Sequence, residues 1–501
     1  GLAAEPTSAT DTTSKPPPVF PKTKSIPATD KNTNVSAVGR AIPDLNPYHE
    51  FDPPQPRIFH ESIETITPPP RIGAFDIRKL TISGDMRVRP EFRTNGNFSN
   101  NGNSNAFYTS QLIRLGFNYE LSPDVVFFVQ PQVANNWGSD ASATNVSGAG
   151  NPGGTATNLF LRQGYMLVRN FVLPNLTLKA GRQLVVWGDH RIFGTFDWNN
   201  VGFAFDGVTM RYNHAQFPVE LGWLVVAEGN AVANGGGYSN GKAFKGDGNI
   251  LFARMPMKFG SVAVEPAYIY EDGGSTTGAG SPAFGTGGQQ SNQQRSTTGA
   301  RVAFKEGMFD ATGEGYWQFG EIGPVGQASQ TRINALAGHF DAGITLPVPM
   351  QPRIGGEINY ATGSSNKNGG HTFSQLFPTN HIHFGYMDLM SWQNMLTYGG
   401  NLQMRPTAES HFEIGGHIMR LANSQDNWYN ATQGTFFSTP AGNKQKSLGG
   451  EIDAVYTLFF QNNRVGWQVG YGHFFTGDYL KKNGFGTADQ NWGYTQLWIN
   501  F

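Results

Sequence analysis

Apolar and polar residues alternate along most of the chain after Asp76, with the period of two that is expected of β-strands. The clearest runs lie at residues 124–136, 262–271 and 308–319. In the second run, one face collects Val262, Val264, Pro266, Tyr268 and Tyr270, and the other collects Ala263, Glu265, Ala267 and Glu271. The alternation predicts a protein built from strands.

The connections between these runs alternate between short and long. Short connections include 213–216 and 305–307, whereas 138–156, 363–389 and 424–445 are long and rich in Gly, Ser and Asn. Outer-membrane β-barrels have this asymmetry, because their periplasmic turns are short and their extracellular loops are long. The predicted fold class is therefore all-β: a transmembrane, antiparallel, up-and-down β-barrel of about 18 strands. The predicted strands lie at residues 77–94, 109–121, 124–137, 157–169, 175–188, 203–213, 217–229, 248–259, 261–272, 295–305, 308–321, 330–346, 350–362, 390–405, 409–423, 446–461, 464–477 and 490–501.

The composition agrees with a barrel and excludes other classes of protein. Glycine accounts for 64 residues, aromatic residues for 13% and charged residues for only 15%, a balance that disfavours long helices. The mean hydropathy is -0.38, and no apolar run reaches the roughly 18 residues of a membrane-spanning helix. A barrel escapes this criterion because only alternate residues face lipid. The net charge of -1 predicts no nucleic-acid partner.

Motifs for catalysis or metal binding are incomplete. The chain has no cysteine, which excludes disulfides, cysteine nucleophiles and thiolate metal sites. Residues 236–242 have the spacing of a phosphate-binding loop, but Ala243 stands where Ser or Thr is required. His411 and His417 share a strand face, but positions six apart on a strand lie roughly 20 Å apart, too far for one metal ion. We predict no catalytic residue, no metal site, no cofactor and no enzymatic activity.

Residues 1–75 differ from the rest of the chain. They are dense in proline and lack the alternation, so they predict a disordered, flexible extension. An even number of strands returns both chain ends to the periplasm, where we expect the extension to lie after removal of a signal peptide. The alternatives are that it enters the lumen as a plug or binds a periplasmic protein. The aromatic residues available for such contacts are Phe20, Tyr48, Phe51 and Phe59.

Four segments resemble the alginate-export family of outer-membrane porins. They are GRQLVVWGDHRIFGTFDWNNVGFAFDGV (181–208), TFSQLFPTNHIHFGYMDLMSWQN (372–394), SLGGEIDAVYTLFF (447–460) and GYGHFFTGDYL (470–480). The resemblance spans roughly 76–501, which we take as the barrel domain. It implies a monomeric barrel, embedded in outer-membrane lipid and lipopolysaccharide, whose charged, loop-constricted lumen passes an anionic polysaccharide or other small polar solutes.

Strand phase assigns the charged residues to the lumen, because charge on the lipid face of a barrel is costly. Arg182 shares parity with Leu178 and Ala180, so its inward orientation requires a bulge at Gly181. We expect the basic and acidic sets to face each other across the pore. The pore-lining basic set is Arg87, Arg89, Arg114, Arg162, Arg182, Arg211, Arg254 and Arg301. The acidic set is Asp310, Glu314, Asp341, Glu357, Glu413, Glu451 and Asp453.

Two connections are expected to fold over or into the pore mouth. Residues 189–200 and 372–394 have the aromatic, proline and histidine content of a folded cap. The cap residues are Asp189, Arg191, Asp197, His381, His383 and Asp388. We also expect Trp223, Trp317 and Trp467 to face lipid near the membrane boundaries.

The sequence therefore predicts a passive outer-membrane channel for hydrophilic, anionic solutes. Three alternatives stay open. An export channel for alginate-type polysaccharide requires a wide basic lumen, and a general small-solute porin requires mixed charge. A structural or assembly protein would engage other proteins through residues 1–75.

Overall fold

Backbone hydrogen bonds join the alternating runs into one antiparallel sheet that closes on itself. The computed structural model describes residues 77–100, 104–137, 158–227, 248–273, 291–324, 331–366, 370–461 and 463–501. In these ranges the strands of the sheet are β1 (Leu80–Thr94), β2 (Ala106–Ser122), β3 (Val125–Trp137), β4 (Asn158–Val168), β5 (Leu176–Gln183), β6 (Phe205–Tyr212), β7 (Val219–Ala227), β8 (Gly248–Arg254), β9 (Met257–Phe259), β10 (Val262–Gly273), β11 (Ser291–Glu306), β12 (Phe309–Pro324), β13 (Thr331–Thr345), β14 (Arg353–Ala361), β15 (Met395–Met404), β16 (Ser410–Leu421), β19 (Ser447–Phe460), β20 (Val465–Thr476) and β21 (Gln490–Asn500).

The sheet is an 18-stranded barrel. Both β8 and β9 pair with β10, so they are one strand interrupted at Met255 and Pro256. Each strand pairs with the next barrel strand in the chain, and β1 closes the barrel by pairing with β21 as well as with β2. The backbone of Phe501 extends this seam through two hydrogen bonds with Gly84, at 2.9 and 3.0 Å. The predicted antiparallel, up-and-down barrel is confirmed.

The two faces of the strands differ as the alternation predicts. On β13 the outward Leu336 and Phe340 are half exposed, whereas Ala335 and Ala337, on either side of Leu336, are buried. The three tryptophans predicted to face lipid are all exposed on the outer face, and each indole N–H donates to a neighbouring strand. The acceptors are Asn249 for Trp223, Asn334 for Trp317 and Thr495 for Trp467.

The predicted asymmetry of the connections is also present. The β8–β9 strand turns into β10 at Gly260, and β11 turns into β12 at Gly307; both glycines have a φ of +59°, which favours glycine in a two-residue turn. The long connections within the described ranges lie at the opposite end of the barrel. Two of them contain elements that the sequence did not predict: the hairpin of β17 (Trp428–Tyr429) and β18 (Thr435–Phe437), and helix α1 (Asp478–Lys482). Short 3-10 turns lie at Ile77–Lys79 and Asn380–Ile382.

Two predicted strand boundaries were wrong by five residues. The strand predicted at 175–188 ends at Gln183, and the strand predicted at 390–405 begins only at Met395. Val185 and Trp187 continue the apolar alternation, but they have left the sheet and are buried in the barrel interior. Alternation indicates that one face of a segment is buried. A segment packed inside the lumen can show this pattern as well as a strand can.

Among the helices of the described ranges, none is both long enough and apolar enough to cross a membrane. The extension predicted for residues 1–75 and the loops predicted at 138–156 and 230–247 lie outside the described residues. So do most of the loop predicted at 273–294 and the phosphate-loop spacing at 236–242.

Candidate functional site

Two long connections fold into the barrel, and they define the candidate site. The first inserted loop, residues 184–204, joins β5 to β6. The second inserted loop, described at residues 362–366 and 370–394, joins β14 to β15. Their backbones contact inward side chains from strands around the barrel. The wall residues that bind the first loop include Arg87, Gln132 and Arg162, and those that bind the second include Gln318 and Glu451.

The two inserted loops are bonded to each other along their backbones. Phe193 and Phe377 form an isolated parallel bridge. The N–H of Gly194 donates to the carbonyl oxygen of Phe377 at 2.8 Å, and the N–H of Phe377 donates to that of Ile192 at 2.9 Å. A Cβ at position 194 would overlap the Thr379 hydroxyl, so this approach requires glycine. Both segments lie against the inner wall of the barrel, and their control of access to the pore stays a prediction.

An aromatic core lies where the loops meet. Trp187 and Phe193 pack edge to face with their ring centroids 4.8 Å apart, and Phe205 packs on Phe377 at 4.9 Å. Phe252 of the barrel wall joins them, with its centroid 5.1 Å from that of Trp187. These rings are buried, so the hydrophobic effect favours the inserted position of both loops.

Four of the predicted basic residues converge on the first inserted loop. Arg87 donates to the carbonyl oxygen of Asp197 at 2.7 Å, Arg89 to that of Trp198 at 2.9 Å, and Arg162 to that of Val201 at 3.0 Å. Arg114 and Arg162 share the Asp197 carboxylate, at 2.7 and 3.0 Å. These guanidinium groups hold the loop against the wall. Two of them, those of Arg114 and Arg162, do so by binding the carboxylate of the cap residue Asp197.

Arg182 was predicted to face the lumen, and this prediction was wrong. Gly181 is irregular, with a φ of +121°, but it does not reverse the next side chain. Arg182 pairs with Asp206 at 2.7 Å, and Asp206 is more than half exposed on the outer face. The inward position belongs to Gln183, which is buried and accepts a hydrogen bond from the Thr209 hydroxyl at 2.7 Å. The salt bridge with Asp206 offsets the cost of an outward arginine.

The remaining basic residues of the wall alternate with acidic ones. Arg254 bonds Glu220 at 2.7 Å and Glu265 at 3.5 Å, and Arg301 bonds Glu265 at 2.8 Å. Arg211 is directly opposite Glu220 in the register of β6 and β7 and is buried. Neighbouring strands therefore contribute opposite charges to this part of the lumen.

Part of the predicted acidic wall is neutralised by an arginine that the sequence analysis missed. Arg353 makes a bidentate bond to Asp310, with Nη2 2.5 Å from Oδ1, and also bonds Asp341 at 3.0 Å. Arg353 has the same parity as the inward Glu357, and this is the signal that could have identified it. The basic and acidic sets are thus less segregated across the lumen than predicted.

Arg191 of the first inserted loop links the loop to the wall. Its guanidinium lies 3.1 Å from Asp189, 3.8 Å from Glu314 and 3.8 Å from Glu357. Burial alone would raise the pKa of Asp189, but the guanidinium groups of Arg191 and Arg301 hold it well below its usual range. This cap residue therefore remains a carboxylate and keeps its ion pair.

His383 of the second loop completes this connection. Its Nε2–H donates to the carbonyl oxygen of Asp189 at 2.7 Å. Burial, and secondly the nearby Arg191, lower the pKa of His383 well below its usual value. The ring is therefore neutral at physiological pH and acts as a hydrogen-bond donor. The other predicted histidine, His381, bonds Asp388 through Nδ1 at 3.1 Å.

The acidic residues of β16 and β19 face the second inserted loop. Glu451 accepts from the Met387 N–H at 2.8 Å, and Asp453 accepts from the Tyr386 N–H at 3.3 Å. Glu413 accepts from the Tyr386 hydroxyl at 3.4 Å. Within the described ranges, no group of three or more His, Asp or Glu side chains is arranged to hold a metal ion.

Comparison with known proteins agrees with this architecture. The sequence profile of the alginate export family matches residues 78–494. The chain therefore belongs to the alginate export family. No curated protein sequence matches the chain closely enough to count as a relative.

Several solved outer-membrane channels share the fold. OccAB2 of Acinetobacter baumannii is 11% identical with a TM-score of 0.55, and the match covers 86% of this chain and 99% of that one. The match to OccK2 (OpdF) of Pseudomonas aeruginosa in complex with glucuronate has 11% identity and a TM-score of 0.51, and it covers 84% of this chain and 98% of that one. OpdK of Pseudomonas aeruginosa with vanillate is 10% identical with a TM-score of 0.51, and the same shares are covered. Fold and family together identify a porin-type channel of the outer membrane.

Proposed function

We propose that this member of the alginate export family is a passive channel for small, carboxylate-bearing solutes. The observation that supports the small size is the pairing of the two inserted loops inside the barrel, at Phe193 and Phe377. Solutes must pass between these loops and the wall. A hydrated polymer would require a wider passage than a single small acid.

Local charge supports a preference for anions. Five arginines of β1, β2 and β4 lie on one wall, and fewer carboxylates lie among them. The arginines are Arg87, Arg89, Arg93, Arg114 and Arg162, and the carboxylates are Asp85, Glu91 and Asp197. Guanidinium groups favour carboxylates because they offer paired N–H donors. The arginines also hold the first inserted loop, so we expect the anion preference to be modest.

The ligands named for two structural neighbours support the same class of solute. Glucuronate and vanillate, found with OccK2 and OpdK, each carry one carboxylate on a small ring. A solute carboxylate that passes the basic wall of this chain would meet guanidinium groups like those that bind Asp197.

Liposome swelling and ion selectivity test the proposal together. Glucuronate should enter proteoliposomes faster than glucose, its neutral counterpart of similar size. The reversal potential in a KCl gradient should indicate anion preference at low salt. This preference should fall as the Debye length shortens from about 10 Å at 0.1 M to about 3 Å at 1 M. Equal rates for glucuronate and glucose would instead indicate a general small-solute porin.

Export of alginate-type polysaccharide is the second candidate, and family membership favours it. The passage of an oligomer of uronic acids, compared with that of glucuronate, distinguishes the two candidates. If the oligomer crosses the bilayer at a rate comparable to that of glucuronate, the small-solute proposal is wrong.

The proposed role of residues 1–75 as a flexible periplasmic extension is tested by deleting residues 1–70. We expect the deletion to leave conductance unchanged. A rise in conductance would assign the segment to the lumen, and loss of a co-purifying periplasmic protein would assign it to a complex.

A further inference from the structure

One turn of the second inserted loop is held by two carboxylates of the facing wall. Glu451 and Asp453 lie two residues apart on β19, so both side chains point into the lumen. Glu451 binds the backbone N–H of Met387, and Asp453 binds that of Tyr386. Both carboxylates are at least 97% buried, at 1% and 3% relative exposure. We refer to this pair as the carboxylate clamp.

The turn is shaped to fit the clamp. Gly385 has a φ of +94°, a conformation that favours glycine, and a Cβ there would overlap the Glu451 carboxylate. The carbonyl oxygen of Met387 accepts from Arg93 at 2.9 Å. Both polar groups of the Met387 backbone are thus bound to the barrel wall.

The wall supplies hydrogen-bond acceptors at the carboxylate clamp, whereas it supplies mainly donors to the first inserted loop. That loop is held mainly through its carbonyl oxygens, by the guanidinium groups of Arg87, Arg89 and Arg162. The second loop is held at this turn mainly through N–H groups. Buried carboxyl groups are costly unless hydrogen bonds satisfy them, and each of these two presents an acceptor oxygen to one N–H of the turn. The pair therefore favours the docked turn.

We propose that Glu451 and Asp453 are positioning residues that hold the 384–388 turn in the lumen and so set the conductance of the channel. The inference rests on the assignment of the chain as a channel, but not on which solute the channel prefers. Without the carboxylate clamp, the N–H groups of Tyr386 and Met387 lose their acceptors, and the turn moves away from the wall.

Single-channel recording of paired variants tests the role of the carboxylate clamp. The double variant Glu451→Ala with Asp453→Ala should raise the conductance roughly twofold and add open-channel noise. Glu451→Gln with Asp453→Asn keeps an acceptor oxygen at each position and should preserve a conductance close to that of the unmodified protein. Thr457→Val is the matched control, since Thr457 is also buried on β19 and bonds Gln468 of the wall.

A second readout follows the turn itself. The chain has no cysteine, so Met387→Cys introduces a single thiol, which is buried while the turn is docked. A membrane-impermeant maleimide should label it slowly, and at least about tenfold faster when the alanine pair is added. Thr457→Val in the same background should leave the rate unchanged.

Gly385→Ala keeps the proposal testable if the alanine pair does not fold. It lies outside the strands, leaves both carboxylates in place and displaces the turn by overlap with Glu451. It should raise both the conductance and the labelling rate. Unchanged conductance and labelling in a folded Gly385→Ala protein, or in a folded alanine pair, would overturn the role of the carboxylate clamp. Equal passage of glucuronate and glucose would overturn only the proposed solute preference.

Discussion

The indole ring of Trp198 and the imidazole ring of His381 lie stacked, with centroids 3.7 Å apart and planes inclined by 9°. The two rings come from different inserted loops. The guanidinium group of Arg89 lies 3.5 Å from the centroid of the same indole, so one side chain connects the first loop, the second loop and the wall formed by β1. Trp198 is 1% exposed, so this is a buried contact between the two inserted loops and the barrel wall.

Replacing Trp198 by Ala should loosen both inserted loops together. Truncation of a buried aromatic residue costs about 3–5 kcal/mol in a protein core, and here the contact with Arg89 would be lost as well. We expect higher conductance and a lower temperature for the loss of the folded, heat-modifiable form on gel electrophoresis. Trp223→Ala, on the outer face, should not change conductance. A Trp198→Ala channel with unaltered conductance would show that the two loops are positioned independently.

Replacing Arg114 and Arg162 together by Gln should shift the reversal potential toward cations. The two arginines share the single carboxylate of Asp197, so the change converts a locally positive group into a negative one. The conductance should rise as well, because Arg162 also binds the carbonyl oxygens of Thr195 and Val201. Arg182→Gln is the control on the outer face. If the reversal potential stays constant, these arginines are structural braces and selectivity resides elsewhere.

Acidification should weaken docking of the second inserted loop through His383. Burial lowers the pKa of His383 in the docked state, whereas a detached loop would have the usual value of about 6.5. Below about pH 6.5 the detached state therefore binds a proton that the docked state does not, so docking is strongest above this pH and weakens as the pH falls. Burial also lowers the pKa of His190 in the first loop, to about 4, in the same direction.

Single-channel recording between pH 7 and roughly pH 4 measures this effect as an increase in open-channel noise. His383→Gln can still donate to the Asp189 carbonyl oxygen but cannot gain a proton in this range, so it should respond less to acid. His214→Gln, in an exposed turn at the other end of the barrel, should behave like the unmodified protein. An identical acid response in all three proteins would rule out His383 as the titrating group.

External proteases should cleave the second inserted loop slowly, because it is packed inside the barrel. Residues 372–394 are almost entirely buried and bonded to the wall, so cleavage there requires local opening. We expect cuts at 138–156 and 273–294 to come first, with sites located by mass spectrometry of the fragments. Simultaneous cleavage at 372–394 would contradict the packing of the second inserted loop.

The sequence by itself determined the barrel. The alternation from Val262 to Tyr270 is one example of a local pattern that can be read directly from the sequence. The contrast between short and long connections is another, and so is the lack of long apolar runs. The same pattern also predicted inward positions for Arg114, Glu314 and Glu451, because strand parity assigns each residue to a face.

Only the tertiary structure decided what those inward residues do. Arg162 and Asp197 are 35 residues apart in the chain and meet at 3.0 Å, and Met387 and Glu451 are 64 residues apart and meet at 2.8 Å. Such contacts depend on how the two loops fold back into the lumen, and parity carries no information about that path. The same limit explains the error at Val185, which alternates like a strand residue but packs inside the barrel. At Arg182 strand parity alone indicated the outward face, and the error came from expecting a bulge at Gly181 to reverse it; the sequence does not show that Asp206 on the next strand pairs with this arginine.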